Sequence, residues 1–251
     1  MKIFLKCLAD ILLPRTCLVC GTVLQRSEEH ICLHCLADIP LTYFWHSAHN
    51  AMADKFNECI QRYLCNHPGA PSESYCRAAS LFFFSNDADF RHIPYSLKYQ
   101  SDIAAGKFFG KMLGSRLAKS GLFSDADLVI PVPLHWTRQW KRGYNQAEVV
   151  ASAVAECMGA VLCTDLLKRV RRTQTQTKVE VGQKGTNVMG AFAIRRNALQ
   201  SSGNLRYIRH ILIVDDVFTT GSTLFACFAA LRTVFPPSVR ISIATLGYVG
   251  H

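Results

Sequence analysis

Hydrophobic positions along this chain follow two kinds of pattern. Ile3, Phe4, Cys7, Leu8, Ile11 and Leu12 recur at helical spacing and predict a short amphipathic helix. Ile103, Phe108, Met112, Leu113 and Leu117 do the same between Asp102, a residue type suited to an N-cap, and Gly121, a stop. Ala147 to Met158 and Leu224 to Val234 supply two further helices. Between these segments lie short apolar runs, Ser80 to Phe84, Asp127 to Val132 and Ile211 to Val214, and Val239 to Leu246 is expected as the final strand. Runs of this length fit strands buried on both faces of a parallel sheet. Phe192 to Ile194 is expected to return the chain to that sheet. Leu41 to Tyr75 is the least informative stretch, and Asn66 to Ser74, with two prolines, a glycine and two serines, reads as a loop. Strands alternating with helices predict an α/β fold, a doubly wound and mostly parallel sheet. The expected division is an N-terminal helix and small cysteine module over 1–45, a connector over 46–92 and the sheet domain over 93–251.

Composition narrows this picture. With 251 residues, 49% hydrophobic and 18% charged, the chain can build one α/β domain plus a smaller module. No apolar run reaches the roughly eighteen residues of a membrane span. Lys6 and Asp10 interrupt the apolar start and no small-residue cleavage site follows, so no signal peptide is read and a cytoplasmic location is expected. The net charge of +10 suits phosphorylated ligands or nucleic acid without choosing between them. Eleven cysteines, an odd count, fit a reducing compartment with one metal site better than a disulfide scaffold.

The spacing of four cysteines carries that metal site. Cys17-Leu-Val-Cys20 and Cys32-Leu-His-Cys35, eleven residues apart, match a four-thiolate structural Zn²⁺ site of the ribbon type. Gly21 permits the tight turn of the first knuckle, and His30 and His34 are not needed as ligands. Four thiolates leave no open coordination position, so the role is structural. Cys59, Cys65, His67 and Cys76 lack such spacing.

The densest chemistry lies at Ile211 to Thr223. A buried strand is followed by Asp215 and Asp216, then by Thr219-Thr220-Gly221-Ser222-Thr223 at the start of a helix. Such a turn offers hydroxyls, backbone N–H groups and a helix N-terminus to a phosphate, and the carboxylates can accept hydrogen bonds from vicinal sugar hydroxyls. Together these describe a ribose-phosphate site at the carboxyl end of a parallel strand. A second strand ends in Pro131-Val132-Pro133 and leads into a basic loop with His135, Arg138, Lys141, Arg142, Gly143 and Asn145. Arg142 is the first candidate for a pyrophosphate, because a guanidinium fork matches phosphate oxygens. Leu166 to Gly190 is polar and basic and reads as a lid over a site. Leu97-Lys98-Tyr99, taken alone, is an exposed lysine beside an aromatic.

The stretch from Ile211 to Thr223 resembles the phosphoribosyl-pyrophosphate (PRPP) signature of type I phosphoribosyltransferases. Most of the chain is similar to the ComF/GntX family of phosphoribosyltransferase-like proteins linked to DNA uptake in competent bacteria. The markers are the two cysteine pairs, Leu97-Lys98-Tyr99, Pro131-Val132-Pro133 and Arg142-Gly143-Tyr144-Asn145-Gln146, then Thr175-Gln176, Asn187, Gly190-Ala191-Phe192 and the acidic pair. The resemblance implies that Asp215 and Asp216 hold the ribose hydroxyls and Thr219 to Thr223 the 5′-phosphate. Pro133, Arg142, Asn145, Gln176, Lys178 and Asn187 would then serve the pyrophosphate and the lid, with Mg²⁺ bound alongside PRPP. Lys184 stands where relatives usually carry Arg, and Thr219 stands where hypoxanthine-type enzymes carry an Asp, which argues against purine salvage. Two functions remain open on the residues alone. One is pentosyl transfer from PRPP to an unidentified acceptor. The other is a non-enzymatic protein that binds single-stranded DNA or docks DNA-uptake proteins and retains the pocket.

Overall fold

In the computed structural model, residues 14–85, 88–135, 137, 140, 142–170, 190–195 and 207–250 are described. The helix expected over residues 3–12, and Gln176, Lys178, Lys184 and Asn187 of the expected lid, lie outside these residues.

Seven strands are described: β1 (Ala78–Phe83), β2 (Leu128–Pro131), β3 (Val161–Leu162), β4 (Leu167–Arg169), β5 (Phe192–Ile194), β6 (His210–Phe218) and β7 (Arg240–Tyr248). Five form one sheet in the order β1-β7-β6-β2-β3, with every neighbouring pair parallel. Leu212, Val214 and Val129 face one side, while Ile211, Ile213, Leu128 and Ile130 face the other. Both sides are covered, which is why these runs show no polar alternation. Each fully buried aliphatic side chain stabilises the fold by about 1.5–3 kcal/mol.

Among the described residues, the α-helices of five residues or more are α1 (Leu33–Ala37), α2 (Ala51–Asn66), α3 (Ile103–Ala118), α4 (Gln146–Met158) and α5 (Ser222–Arg232). Phe109, Leu113 and Leu117 of α3 and Val150, Ala151 and Val154 of α4 cover the first face. Met52, Phe56 and Ile60 of α2 and Leu224, Cys227, Phe228 and Leu231 of α5 cover the second. Asp102 caps α3, its carboxylate accepting from Ala105 N at 2.9 Å. Gly106, Gly110 and Gly114 line α3 where α4 crosses it. A Cβ on Gly110 would lie 2.8 Å from Ala153 Cβ, so the helices approach closer than any side chain allows.

Helix α2 lies in the stretch from Leu41 to Tyr75, for which the sequence alone predicts no element. Its buried face, Met52, Ala53, Phe56, Asn57 and Ile60, does follow helical spacing. Asn50 caps it, accepting from Ala53 N at 3.0 Å and donating to Ala78 O of β1 at 3.0 Å. Another expectation needs correction. Phe192–Ile194 does not rejoin the large sheet; it pairs antiparallel with β4 as a separate ribbon. Leu166, Leu167 and Phe192 bury in the core of the second face, and this packing sets their place rather than ladder extension.

The cysteine module shares the core of the first face. Cys17, Val19, Leu24, Ile31 and Cys35 belong to the same cluster as Phe109 and Leu113. His30 lies 3.8 Å from Asp102 and tilts against Phe108 at 5.6 Å between ring centroids. Among the described residues, no helix is long and apolar enough to cross a membrane.

Candidate functional site

The sheet order reverses between β2 and β6: from β2 the chain goes on to β3 on one side, and from β6 to β7 on the other. A crevice opens outside the carboxyl ends of strands at such a point. The sequence expectation ends the strand at the acidic pair, whereas β6 continues through Asp215 and Asp216 to Phe218, paired Asp215↔Thr245 and Phe218↔Tyr248. Alternation along the strand sends the two carboxylates to opposite faces. Asp215 follows Ile211 and Ile213 toward α5, and Asp216 follows Leu212 and Val214 toward the segment before α3.

Asp216 Oδ2 meets Lys98 Nζ at 3.0 Å, with the carboxylate side chain only 14% exposed and the lysine 31%. Lys98 is therefore not the solvent-exposed lysine that the local sequence implies. Burial opposes its ammonium, but Asp216 in contact and Asp215 beyond it outweigh burial and hold the group above its ordinary value. Asp215 Oδ1 accepts from Asp216 N at 2.9 Å. Burial first, then the neighbouring Asp216 charge, push the Asp215 carboxyl up to about 7, against the backbone N–H, Lys98 and Arg169. The pair sits deeper than the open cleft its polarity would suggest.

The turn after β6 shapes one wall. Thr219 and Thr220 are exposed, Thr223 is half-buried, and Thr220 Oγ1 lies 3.0 Å from Ser222 Oγ. Gly221 adopts a left-handed φ of 75° and is buried, with Phe218 Cζ 2.9 Å from where a Cβ would be. Only glycine fits there without strain. Gly221 is also the N-cap of α5 and supplies no side-chain cap, while the Ser222 N–H donates to Thr220 Oγ1 at 3.5 Å.

The opposite wall follows β2. Pro133 is half-buried at its end. Asn145 caps α4 through Ala147 N at 3.2 Å and donates to Val132 O at 3.1 Å, so both ends of its amide hold the loop in place. Arg142 donates to Gln146 Oε1 at 3.1 Å, and its guanidinium lies 5.7 Å from the Tyr99 ring centroid. Tyr144 donates its hydroxyl to Leu97 O. The segment from Ser96 to Gln100, a wide π-turn, is thereby tied to the loop after β2. Sequence reading of the site missed Lys98; the available signal was the Leu97-Lys98-Tyr99 marker, whose purpose shows only when Asp216 lies beside it.

The cysteines meet as their spacing predicts. The sulfurs of Cys17, Cys20, Cys32 and Cys35 all lie within 4.8 Å of one another. Cys20 Sγ and Cys32 Sγ are 3.7 Å apart, close to the roughly 3.8 Å edge of a tetrahedron with 2.3 Å metal–sulfur bonds. Backbone N–H groups of Val19 and Cys32 point at Cys17 Sγ, both at 3.4 Å. The Thr22 hydroxyl, then its backbone, draw the Cys20 thiol down to about 6. The arrangement can hold a structural metal ion.

A second polar cluster lies at the amino ends of the strands. His210 contacts Asp125 at 2.9 Å through Nδ1 and Ser242 Oγ at 2.8 Å through Nε2, and Arg240 pairs with Asp125. The order is that of a hydrolytic triad, but Ser242 is 2% exposed and His210 fully buried, so no substrate reaches the hydroxyl. This cluster ties β6 and β7 to the turn before β2.

Fold and site define an α/β protein with a parallel sheet covered on both faces and a charged crevice at its reversal point. In sequence, the chain is 34% identical to competence protein F of Haemophilus influenzae over 115 residues, 46% of this chain and 48% of that protein. It is 35% identical to DNA utilization protein YhgH of Salmonella typhi over 98 residues, 39% of this chain and 40% of that protein. The protein of the same name in Escherichia coli K12 is 33% identical over 98 residues. The chain thus spans less than half the length of these relatives. No family model matches it. The likeness to competence protein F agrees with the ComF/GntX resemblance read from the sequence.

Proposed function

We propose that the chain binds PRPP, or a related ribose phosphate, in the crevice between β2 and β6 and acts within DNA uptake. The observation that carries this reading is the acidic pair at the reversal point, flanked by the Thr219 to Thr223 turn on one side and Lys98 and Arg142 on the other. Asp215 and Asp216 accept hydrogen bonds from the 2′ and 3′ hydroxyls, and the turn and the start of α5 receive the 5′-phosphate. Arg142 would serve the pyrophosphate, with Lys178 assigned to the same task by the family resemblance alone, and Mg²⁺ entering with PRPP would neutralise part of its charge. In a transfer reaction the C1′–O bond breaks, pyrophosphate leaves with the bonding pair, and an acceptor attacks C1′. The two carboxylates favour the positive charge that develops on the ribose. The four cysteines hold a structural Zn²⁺, and the reduced thiols suit a cytoplasmic setting.

A second reading is contact with single-stranded DNA. It draws support from Tyr95 and Tyr99, both exposed, whose rings lie 4.3 Å apart with Arg142 against Tyr99. Stacking rings beside a cation suit unpaired bases. The names of the relatives, competence protein F and DNA utilization protein, point the same way.

Calorimetric titration with PRPP and Mg²⁺, then with single-stranded DNA, tests both readings. Asp215→Asn and Asp216→Asn should each weaken PRPP binding about tenfold, through loss of a charge-assisted bond worth about 1.5–3 kcal/mol. DNA affinity should not fall, because removing negative charge cannot weaken attraction to phosphates. A double variant that binds PRPP like the parent overturns the ribose-phosphate reading.

A further inference from the structure

Lys98 is in contact with Asp216 of the acidic pair, and its position is set by its neighbours. Leu97 is fully buried and its carbonyl accepts from Tyr144. Ser96 Oγ donates to Ile93 O at 2.8 Å. Ser101 closes the turn with a left-handed φ of 55°, and Asp102 begins α3. The backbone at Lys98 is thus held on both sides, and its ammonium meets Asp216 at 3.0 Å.

We propose that Lys98 is a positioning residue of the crevice, its ion pair fixing the Asp216 carboxylate in direction so that Asp216 is presented to a ligand as a hydrogen-bond acceptor. Two adjacent carboxylates resist ionising together, and the nearest cation decides which keeps its charge. Lys98 from the π-turn faces Asp216, with Asp215 of the same strand farther from it. Arg142 and Tyr144 face this corner from the loop after β2. Arg169 of β4 and Cys227 of α5 face Asp215. Geometry therefore pairs Lys98 with Asp216, while burial pushes the Asp215 carboxyl up to about 7. A vicinal diol would meet Asp216 already oriented by Lys98, and would gain an ionised Asp215 as pH rises through about 7. The ligand in this inference rests on the ribose-phosphate reading; the ion pair belongs to the ligand-free chain and is measurable without it.

The test compares the parent with Lys98→Met and Lys98→Arg. Carboxyl-carbon NMR of the ligand-free full chain follows Asp216 across pH. Its titration should rise by about one pH unit or more in the Met variant and return toward the parent in the Arg variant. Calorimetry with PRPP and Mg²⁺ between pH 6.5 and 9 gives the second readout. If loss of Lys98 carries the titration of Asp215 upward from about 7, affinity at pH 7 should fall toward the roughly tenfold loss expected of Asp215→Asn. It should recover by pH 9, and the Arg variant should stay within a few-fold of the parent. Lys98→Gln supplies the same readouts where the Met variant fails to fold. An Asp216 titration unchanged in the neutral variants overturns the proposal, whatever happens to binding. Loss of PRPP binding to the same extent at every pH also overturns it, since that marks a direct contact or a structural role. A shifted titration in a chain whose parent never binds PRPP leaves Lys98 as the positioning residue and removes the ribose-phosphate reading instead.

Discussion

Asp215→Asn should stabilise the ligand-free chain at alkaline pH. The substitution keeps the shape and the oxygen that accepts from Asp216 N, and removes a charge that burial and Asp216 both oppose. The carboxyl is carried from an ordinary 3.8 to about 7 in the fold. A raised carboxyl contributes stability that is complete below pH 3.8 and is lost as pH rises through about 7, because the unfolded chain gives up its proton first. The full interval corresponds to about 4 kcal/mol at most. Asp215 keeps some contact with solvent, and screening brings the expected gain of the Asn variant at pH 8 to about 2 kcal/mol. For a chain of this length that is a rise in Tm of about 4–8 °C. Thermal unfolding followed by circular dichroism at pH 5 and pH 8 measures it, and the gain should be clearly smaller at pH 5. A variant that is less stable than the parent at pH 8, or whose gain is equal at both pH values, would refute the assignment of a burdened carboxyl to Asp215.

Three further outcomes are expected. Protein purified without added zinc should carry about one metal ion per chain, and Cys32→Ser/Cys35→Ser should lose it; elemental analysis showing full retention would mean the ligands are misassigned. Gly110→Ala should cost about 1–3 kcal/mol in denaturant unfolding, because its Cβ would meet Ala153 Cβ at 2.8 Å across two packed helices. A neutral result there would show that α3 and α4 can separate freely. Cleavage by trypsin after Arg171, Arg172 or Lys178 should slow with saturating PRPP and Mg²⁺, and equal rates would reduce the proposed lid to a surface loop.

Much of the α/β architecture was legible locally. The runs at 128–131 and 211–214 lack alternation because both faces of the sheet are covered, and this requirement is written into consecutive residues. Asp102 and Asn145 cap their helices through bonds to N–H groups two or three residues away, so short-range chemistry marks those starts. The cysteine spacing specifies the four-sulfur cluster because two tight knuckles impose their own geometry. The acidic pair and the glycine turn were conspicuous for the same reason: each is a contiguous string whose chemistry needs no distant partner.

Tertiary structure decided what depends on partners far along the chain. Phe192–Ile194 has strand character, but only the buried niche beneath α5 directs it to β4 rather than to the large sheet. The face of α2 follows helical spacing, yet its use as cover for the sheet depends on Asn50 reaching β1. Strand β1 pairs with β7, from the far end of the chain, an adjacency that no local pattern encodes. Lys98 is the sharpest case. A lysine between a leucine and a tyrosine has no local mark of function, and its ammonium acquires one because the fold lowers it beside Asp216 in a half-buried crevice. Periodicity records which side of an element is dry; which charges share that dry space is settled by packing, because an electrostatic partner is chosen by distance in space and not by distance in sequence.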